Sequence, residues 1–220
     1  MSENMSDKWV DYAVRIQSIA QAGLAYCEDK YGRERYEELR KISAEMISAK
    51  TDIPLEKVYD LFCNESGYQT PKLDTRGAVF IDGKILLVRE NNGTWSLPGG
   101  WCDVDLSVAE NTEKEVLEET GLTLTQYRYC GLVTFVSDVY PTEYMHLFHA
   151  TGFTGTPKDC DEGELAWIGK RQLAALQQWE GDRIFLRLMD EHVPFFSLKL
   201  VYAGDTLTEA VLNGQRLEQS

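Results

Sequence analysis

The sequence contains no CxxC pair, and its five cysteines, Cys27, Cys63, Cys102, Cys130 and Cys160, are an odd number. That argues against a disulfide framework and points to reduced thiols in a cytoplasmic protein. Each thiol is expected to behave as a small buried hydrophobe. Basic residues are also short: 22 Lys and Arg stand against 36 Asp and Glu, a net charge of -14. Broad binding to nucleic acid or to an anionic membrane needs basic surface, so neither is expected. A small anionic substrate held through metal cations remains compatible with this balance. No apolar run approaches the roughly 18 residues of a membrane span. The opening MSENMSDKWV holds no apolar signal core. Internal repeats and low-complexity tracts are absent as well.

What is present suits a globular protein. Hydrophobic residues make up 43% of the 220 positions, enough for one large domain, or for a catalytic domain with a small extra one. The pattern changes near residue 70. Before it, Trp9, Ala13, Ile16, Ile19, Ala20 and Leu24 recur at helical spacing and predict an apolar stripe. A second helix after Gly32 carries Tyr36, Leu39, Ile42 or Ser43, and Met46 on one face. A third begins near Pro54, a residue favoured in a first turn, and carries Val58, Leu61 and Phe62. Residues 1–68 therefore read as a small helical domain. Glu65 to Asp74, with Gly67 and Pro71, reads as a linker.

Residues 69–220 read as a second domain of mixed strands and helices, an α+β class. Thr75 to Ile81 and Lys84 to Arg89 flank Asp82-Gly83, a two-residue hairpin signal. In the second strand Ile85 and Leu87 share one face, and Leu86 and Val88 the other, which predicts a central strand. Asn91-Asn92-Gly93 is a further turn before Trp95 to Leu97. Further strands are expected over Tyr127 to Val136, Met145 to Phe153 and Leu165 to Ile168. An irregular loop, Ser137 to Tyr144, joins the first two. Helices are expected over Lys170 to Leu176 and Asp182 to His192. A closing hairpin, Phe195 to Tyr202 and Leu207 to Leu212, turns at Gly204-Asp205.

The segment richest in chemistry is LPGGWCDVDLSVAENTEKEVLEETGL, Leu97 to Leu122. Pro98-Gly99-Gly100 lets the backbone turn tightly and come close to a ligand. Ser107 with Glu110 three residues on is a capping box, so a helix starts there. Gly121 suits its end. Between them Glu115, Glu118 and Glu119 stand at i, i+3 and i+4, which puts three carboxylates on one helix face. Alone, such a run in an acidic protein is more often a solvated surface. It is also a donor set for a hard divalent cation, with a glycine-loop carbonyl as a further oxygen.

The whole string resembles the signature of the Nudix family, G-x5-E-x7-R-E-U-x-E-E-x-G-U, where U is aliphatic. Gly100, Glu115, Val116, Glu118, Glu119, Gly121 and Leu122 match in register. Leu106 stands where the pattern has its first Glu, and Lys114 where it has Arg. Lys is a point charge where Arg braces a carboxylate with two bonds, and Leu106 can form no ion pair. Asp103 and Asp105 are candidates to replace the missing carboxylate. The N-terminal run and the strand that follows resemble a Nudix subgroup with a helical N-terminal domain, which includes CDP-choline pyrophosphatase.

That resemblance implies a mixed-sheet α/β/α sandwich with a small N-terminal helical domain. It implies Mg²⁺, or Mn²⁺, held by Glu115, Glu118, Glu119 and the Gly100 carbonyl. The implied reaction splits the pyrophosphate bond of a nucleoside diphosphate linked to another moiety X, of CDP-choline or ADP-ribose type. The general base is expected among Glu118, Glu119, Glu162 and Glu164. Substrate contacts are expected from Arg89, Gly99, Gly100, Tyr140 and Tyr144, with Phe135 beside the same loop. The amphipathic helices suggest a homodimer, although intramolecular packing explains the stripes too. Two alternatives follow from the departures and the charge. One is a degenerate module that binds nucleotide without hydrolysis. The other is a pyrophosphohydrolase of oxidised nucleoside triphosphates or RNA ends.

Overall fold

The computed structural model describes residues 3–51, 53–158, 163–173 and 175–218, with side chains from residue 8 onward. The chain divides into two compact units, Met1–Thr70 and Pro71–Ser220. The first holds α1 (Glu3–Tyr26), α2 (Lys30–Lys50) and α3 (Leu55–Phe62). The second runs β1 (Lys72–Ile81), β2 (Lys84–Arg89), β3 (Trp95–Ser96), β4 (Gly99–Trp101), α4 (Val108–Thr120), β5 (Thr123–Ser137), β6 (Glu143–Thr154), β7 (Glu164–Gly169), α5 (Lys170–Leu173), α6 (Glu180–Asp190), β8 (Phe196–Ala203), β9 (Thr206–Leu212) and β10 (Gln215–Arg216).

In the first unit the helices form where the sequence places them, and α1 buries part of the expected stripe, Ala13 and Ala20, with Ile16 and Leu24 half-buried, but rotated so that two glutamines join it. Ala13, Gln17, Ala20 and Gln21 are buried, whereas Trp9 is 46% and Ile19 60% exposed. The reason is polar. The Gln17 amide donates to the Phe62 carbonyl at 3.2 Å, and the Gln21 amide donates to the Gly67 carbonyl at 3.0 Å. Two satisfied glutamines can therefore sit where an apolar periodicity count expects isoleucine and tryptophan. Ser43 and Ala44 are the buried residues of α2, and Ala44 clusters with Val58 and Cys63. Leu61 of α3 points outward.

The second unit is the expected α+β architecture. Its strands run in the order β10-β9-β8-β5-β6-β1-β2-β3, with β4 on β1 and β7 on β2. The pairs β1–β6 and β5–β8 are parallel, and the other pairs are antiparallel, so the sheet is mixed. Asp82 and Gly83 both have positive φ, 48° and 70°, which is the two-residue turn that matches strand twist. Side chains alternate across the sheet as pleating requires. Ala78, Ile85 and Leu87 pack with Phe185, Leu186 and Met189 of α6. Val79 and Leu86 pack with Val116 of α4 and with Leu122 and Ala150. Helices thus cover both faces, and each fully buried Leu is worth about 1.5–3 kcal/mol over an exposed one.

Several boundaries differ from expectation: β5 begins at Thr123 and β6 at Glu143, each earlier than expected. Lys72 to Asp74 are not linker but the start of β1, in register with Glu143 to Met145 of β6. Asp74 is fully buried there because Arg76, two residues on and on the same face, pairs with it. The helix expected to reach Leu176 is regular only over Lys170–Leu173. Cys27, Cys63, Cys102 and Cys130 are unbridged, and Cys160 lies outside the described residues. Among the described residues no helix is long and apolar enough to cross a membrane.

Candidate functional site

The glycine loop and α4 form one unit. Ser107 Oγ accepts from Glu110 N at 3.2 Å, and the Glu110 carboxylate accepts from Ser107 N at 2.8 Å, which completes the capping box. Gly121 closes the helix in the left-handed region at φ 72°. Both ends are therefore fixed, and so are the positions of the three glutamates between them.

Each glutamate meets a different environment. Glu119 is buried, and its Oε2 accepts from Gly99 N at 3.1 Å. Gly99 has φ 144°, and a Cβ there would lie 1.9 Å from the Thr75 carbonyl, so only glycine lets the loop press onto β1. Glu115 leans on the next residue: a Cβ at Gly100 would lie 3.0 Å from Glu115 Oε2. Glu118 is the solvent-facing member, its side chain 60% exposed. The three carboxylates fan from the buried edge of α4 to its surface.

Lys114 stands among them. Its Nζ lies 3.0 Å from Glu115 Oε1, 3.1 Å from Asp103 Oδ2 and 3.4 Å from Glu118 Oε2. Hydrogen bonds to Glu115 and Asp103 hold this ammonium above the usual lysine range. Of the two aspartates expected to compensate for Leu106, Asp103 pairs with Lys114. Leu106 itself is 38% exposed. No three Asp, Glu, His or Cys side chains among the described residues are gathered tightly enough to clasp a metal as they stand. The donor set nevertheless suits one. It is all oxygen and all anionic, it lies against two glycines, and it already draws one cation, Lys114, into its midst.

Three further residues brace the site without any motif to announce them. Buried Asn111 accepts from Asp103 N at 3.0 Å and donates to Thr75 Oγ1 and the Trp101 carbonyl at 3.2 and 3.3 Å. The Arg76 guanidinium grips Asp74 with bonds of 2.9 and 2.8 Å and donates to the Leu97 carbonyl at 3.1 Å. The Asp74 carboxylate in turn raises the affinity of that guanidinium for its proton, although burial opposes it. The only early signal was local: Asp and Arg two apart on one strand face, and a polar residue in the helix turn facing the sheet.

Beside Arg76 opens a cavity of about 190 Å³, lined among others by Phe135, Tyr140, Glu143, Trp179 and Asp182. Burial raises the Glu143 carboxyl above its ordinary range. Of the two tyrosines expected at a substrate, Tyr140 lines this cavity. Tyr144 is instead 37% exposed on β6 and is not in its wall. Arg89 and Glu164 face each other across β2 and β7 and form an exposed pair at 3.4 Å, outside the cavity wall. Glu162 lies outside the described residues.

The sequence matches two family models: the NUDIX domain over residues 71–189, and a UDP-X-like N-terminal oligomerisation domain over residues 7–62. The chain belongs to the Nudix family. This Nudix hydrolase is 47% identical over 142 residues to a Bacillus subtilis protein provisionally named as an ADP-ribose pyrophosphatase, covering 64% of this chain and 68% of the relative. It is 27% identical over 150 residues to the oxidized purine nucleoside triphosphate hydrolase of Danio rerio, covering 66% and 96%. Among solved structures, the MutT protein of Bacillus halodurans has the same fold, with a TM-score of 0.60, 24% identity, and 64% and 97% of the two chains covered. A MutT Nudix hydrolase of Burkholderia pseudomallei matches with a TM-score of 0.50 and 26% identity, over 54% and 98%.

Proposed function

We propose that this Nudix hydrolase splits the pyrophosphate bond of a nucleoside diphosphate linked to X, of the CDP-choline or ADP-ribose type, in a Mg²⁺-dependent reaction. The observation that carries the reading is the doubly capped helix that holds Glu119 against Gly99 and Glu115 against Gly100, with Glu118 exposed beside them. The name of the Bacillus relative favours the ADP-ribose type. The CDP-choline type rests on the resemblance of the N-terminal run to that subgroup.

Glu115, Glu118, Glu119 and the Gly100 carbonyl would hold Mg²⁺, or Mn²⁺. When bound there, the cation neutralises diphosphate charge and lowers the pKa of a water. Gly99 and Gly100 let the diphosphate approach the backbone closely. Water oxygen bonds to one phosphorus, the bridging P–O bond breaks, and the leaving phosphate carries the electron pair; the products are a nucleoside monophosphate and phospho-X. Glu118 is the best placed base, because it is the most exposed of the three helix glutamates, whereas Glu119 is buried and engaged by Gly99 N and Glu164 stands outside the cavity wall. Glu162 remains a candidate by sequence alone. Residues 1–68 would build a homodimer through α1, where Trp9, Val10, Tyr12 and Val14 are exposed; a monomer by light scattering at micromolar concentration would sink that part.

The test is a panel of nucleoside diphosphate derivatives, with Mg²⁺ and with chelator, run beside Glu118→Gln. Monophosphate release that needs Mg²⁺ and falls by about a hundredfold or more in the variant is expected, since a general base contributes roughly 10²–10⁴. A variant as fast as the parent would remove Glu118 from the site. A second reading follows from Leu106 and Lys114: a module that binds nucleotide without turnover. Tight binding of one panel member with no release of monophosphate would favour it. Turnover of oxidised triphosphates or RNA ends is the third outcome, disfavoured for RNA by the net charge of -14.

A further inference from the structure

A second concave surface lies away from the cavity. It is a groove of about 500 Å³ between β5, β6 and the turn that follows α6, and none of its lining residues lines the cavity. Asp182 in the cavity wall and His192 in the groove stand at opposite ends of α6, about 15 Å of helix apart. Among the described residues no carboxylate lines the groove, although the chain carries 36 Asp and Glu. Arg128, His149 and His192 do line it, and they include two of the three histidines of the chain. In so acidic a protein, three nitrogen bases around one hollow are a local reversal of charge.

The three groups are held in place. Arg128 and His149 stand directly opposite each other on β5 and β6. The Arg128 guanidinium donates to the Pro194 carbonyl at 2.6 Å and to the Val193 carbonyl at 3.4 Å, which ties the turn after α6 to β5. Carbonyls cancel no net charge, so the guanidinium keeps its positive field. His192, just past the end of α6, takes the left-handed conformation, φ 56°, that usually falls to glycine. That turn brings its ring edge-on to His149, with centroids 5.5 Å apart. His149 is 3% exposed and stacks on Phe80 at 4.6 Å. Its Nε2 is buried and, among the described residues, has no hydrogen-bond partner. A buried polar atom without a partner calls for one from outside the protein. Exposed Gln126 and Thr151 add an amide and a hydroxyl to the same wall. The Tyr127 hydroxyl is already bonded to Glu113.

We propose that this groove binds a phosphate group, free or carried by a small molecule, through Arg128, His149 and His192, at a site separate from the glutamate face of α4. A phosphate presents three acceptor oxygens. Arg128, Gln126, Thr151 and the two imidazoles supply donors from two strands and one turn. A metal cation would instead meet the charge of Arg128. Burial, and next the charges of Arg128 on β5 and His192 after α6, hold the His149 imidazole below its ordinary range, against a bond to its own backbone. Phe80 of β1 faces it without charge. A seated anion offsets those two charges and draws a proton onto Nε2, which then becomes a donor. Binding therefore takes up a proton. The gain in affinity is fully present below the value of the free imidazole and is lost as pH rises through that of the complex.

The test needs neither metal nor turnover. Its first probe is sulfate, which stays a dianion from pH 5 to 8, because a phosphate group itself titrates near neutral pH. Proton NMR of the full chain follows the ring signals of His146, His149 and His192 against pH at fixed ionic strength, with and without sulfate. Saturating sulfate should raise the His149 midpoint by about one pH unit, equivalent to about tenfold in affinity, and leave that of His146 in place. His149→Gln and Arg128→Gln should each bind sulfate about tenfold more weakly at pH 6, the loss of one charge-assisted hydrogen bond. The parent midpoints decide the matter even if a variant fails to fold. Inorganic phosphate and adenosine monophosphate are then titrated against sulfate, read at the His149 signal. Equal displacement assigns the site to the free ion, and displacement about tenfold tighter by the monophosphate assigns it to a phosphorylated molecule; either result supports the site. Displacement by neither, an effect of sulfate that chloride reproduces at the same ionic strength, or ring signals that move with Zn²⁺ and not with sulfate would overturn it.

Discussion

Asp103 Oδ2 lies 3.1 Å from Lys114 Nζ, and the same ammonium lies 3.0 Å from Glu115 Oε1. Asp103 and Glu115 therefore share one cation, and any metal at Glu115 must compete with it. Removing Asp103 leaves Lys114 more strongly drawn to Glu115 and Glu118. Removing Lys114 frees both carboxylates. Asp103→Asn should weaken Mn²⁺ binding severalfold at low salt, and Lys114→Gln should strengthen it by a similar factor. Titration followed by electron paramagnetic resonance reads both, and effects of the same sign would show that the ammonium does not compete. Stability should scarcely move in either variant, because Lys114 and Asp103 are partly exposed and solvent screens the pair.

Glu119 has a second duty that chemistry alone does not reveal. Its Oε2 accepts from the buried Gly99 N at 3.1 Å. Glu119→Gln keeps an acceptor oxygen, so it should fold with near-parent stability while losing a charge that the proposed metal would use. Glu119→Leu leaves the Gly99 N–H unsatisfied and should lose about 1–3 kcal/mol. Urea melts of the two variants separate the structural role from the chemical one. Equal loss in both would mean that charge, not the hydrogen bond, holds the loop.

Much of this was legible beforehand, and the parts that were not share a cause. The Ser107–Glu110 box, the Gly121 stop and the Asp82-Gly83 turn are local events, decided by a few adjacent residues, and each appears where the sequence puts it. The two-sided pattern of Ile85, Leu86 and Leu87 likewise placed β2 between two helical layers. What stayed hidden depends on residues far apart in the chain. Gln17 is buried because of Phe62, Asn111 because of Thr75, and Asp182 faces a cavity whose wall comes from β1, β5 and β6. Polar residues satisfied at long range carry no periodic signal, so a reading that seeks apolar stripes passes over them.

Asn111 is the clearest such case. Its single amide ties Asp103, Thr75 and Trp101 to α4 through three bonds of 3.0 to 3.3 Å. Asn111→Ala leaves groups on β1, on β4 and in the loop after β4 without partners and should lower stability by about 2–3 kcal/mol. Because Asp103 N is one of those groups, the Lys114 contact should loosen too. Hydrogen exchange should then rise over residues 101–106 more than over α4, and uniform protection across both would refute the bracing role.

Half-buried Arg76 and fully buried Asp74 make a stronger demand. The pair is bidentate, and Asp74 is fully buried. Arg76→Met strands a carboxylate in the interior and should lose about 3–5 kcal/mol. Replacing both, as Asp74→Leu with Arg76→Met, should recover a large part of that loss, because an apolar pair of similar size has no charge to desolvate. Denaturant melts of the double-mutant set measure it. A double variant no better than Arg76→Met would mean that the Arg76 bond to the Leu97 carbonyl, not the ion pair, is what the fold requires.

Asp182 ties the cavity to the stability of the whole unit. Its carboxyl is held up at about 7 in the folded chain against an ordinary 3.8. Between those two values the folded chain binds a proton that the unfolded chain has released. The associated stability is present below about pH 4, drains away as pH rises toward 7, and is gone above that. A shift of this size corresponds to about 2–4 kcal/mol once partial solvent access is allowed for. Other carboxyls titrate over the lower end of this range, so the measurable quantity is the difference between the parent and Asp182→Asn. Urea melts from pH 4.5 to 8 should show the parent losing stability relative to Asp182→Asn up to about pH 7 and running parallel to it beyond. Parallel curves throughout would mean that Asp182 is ionised in the folded protein and that its neighbourhood is wetter than the cavity walls imply.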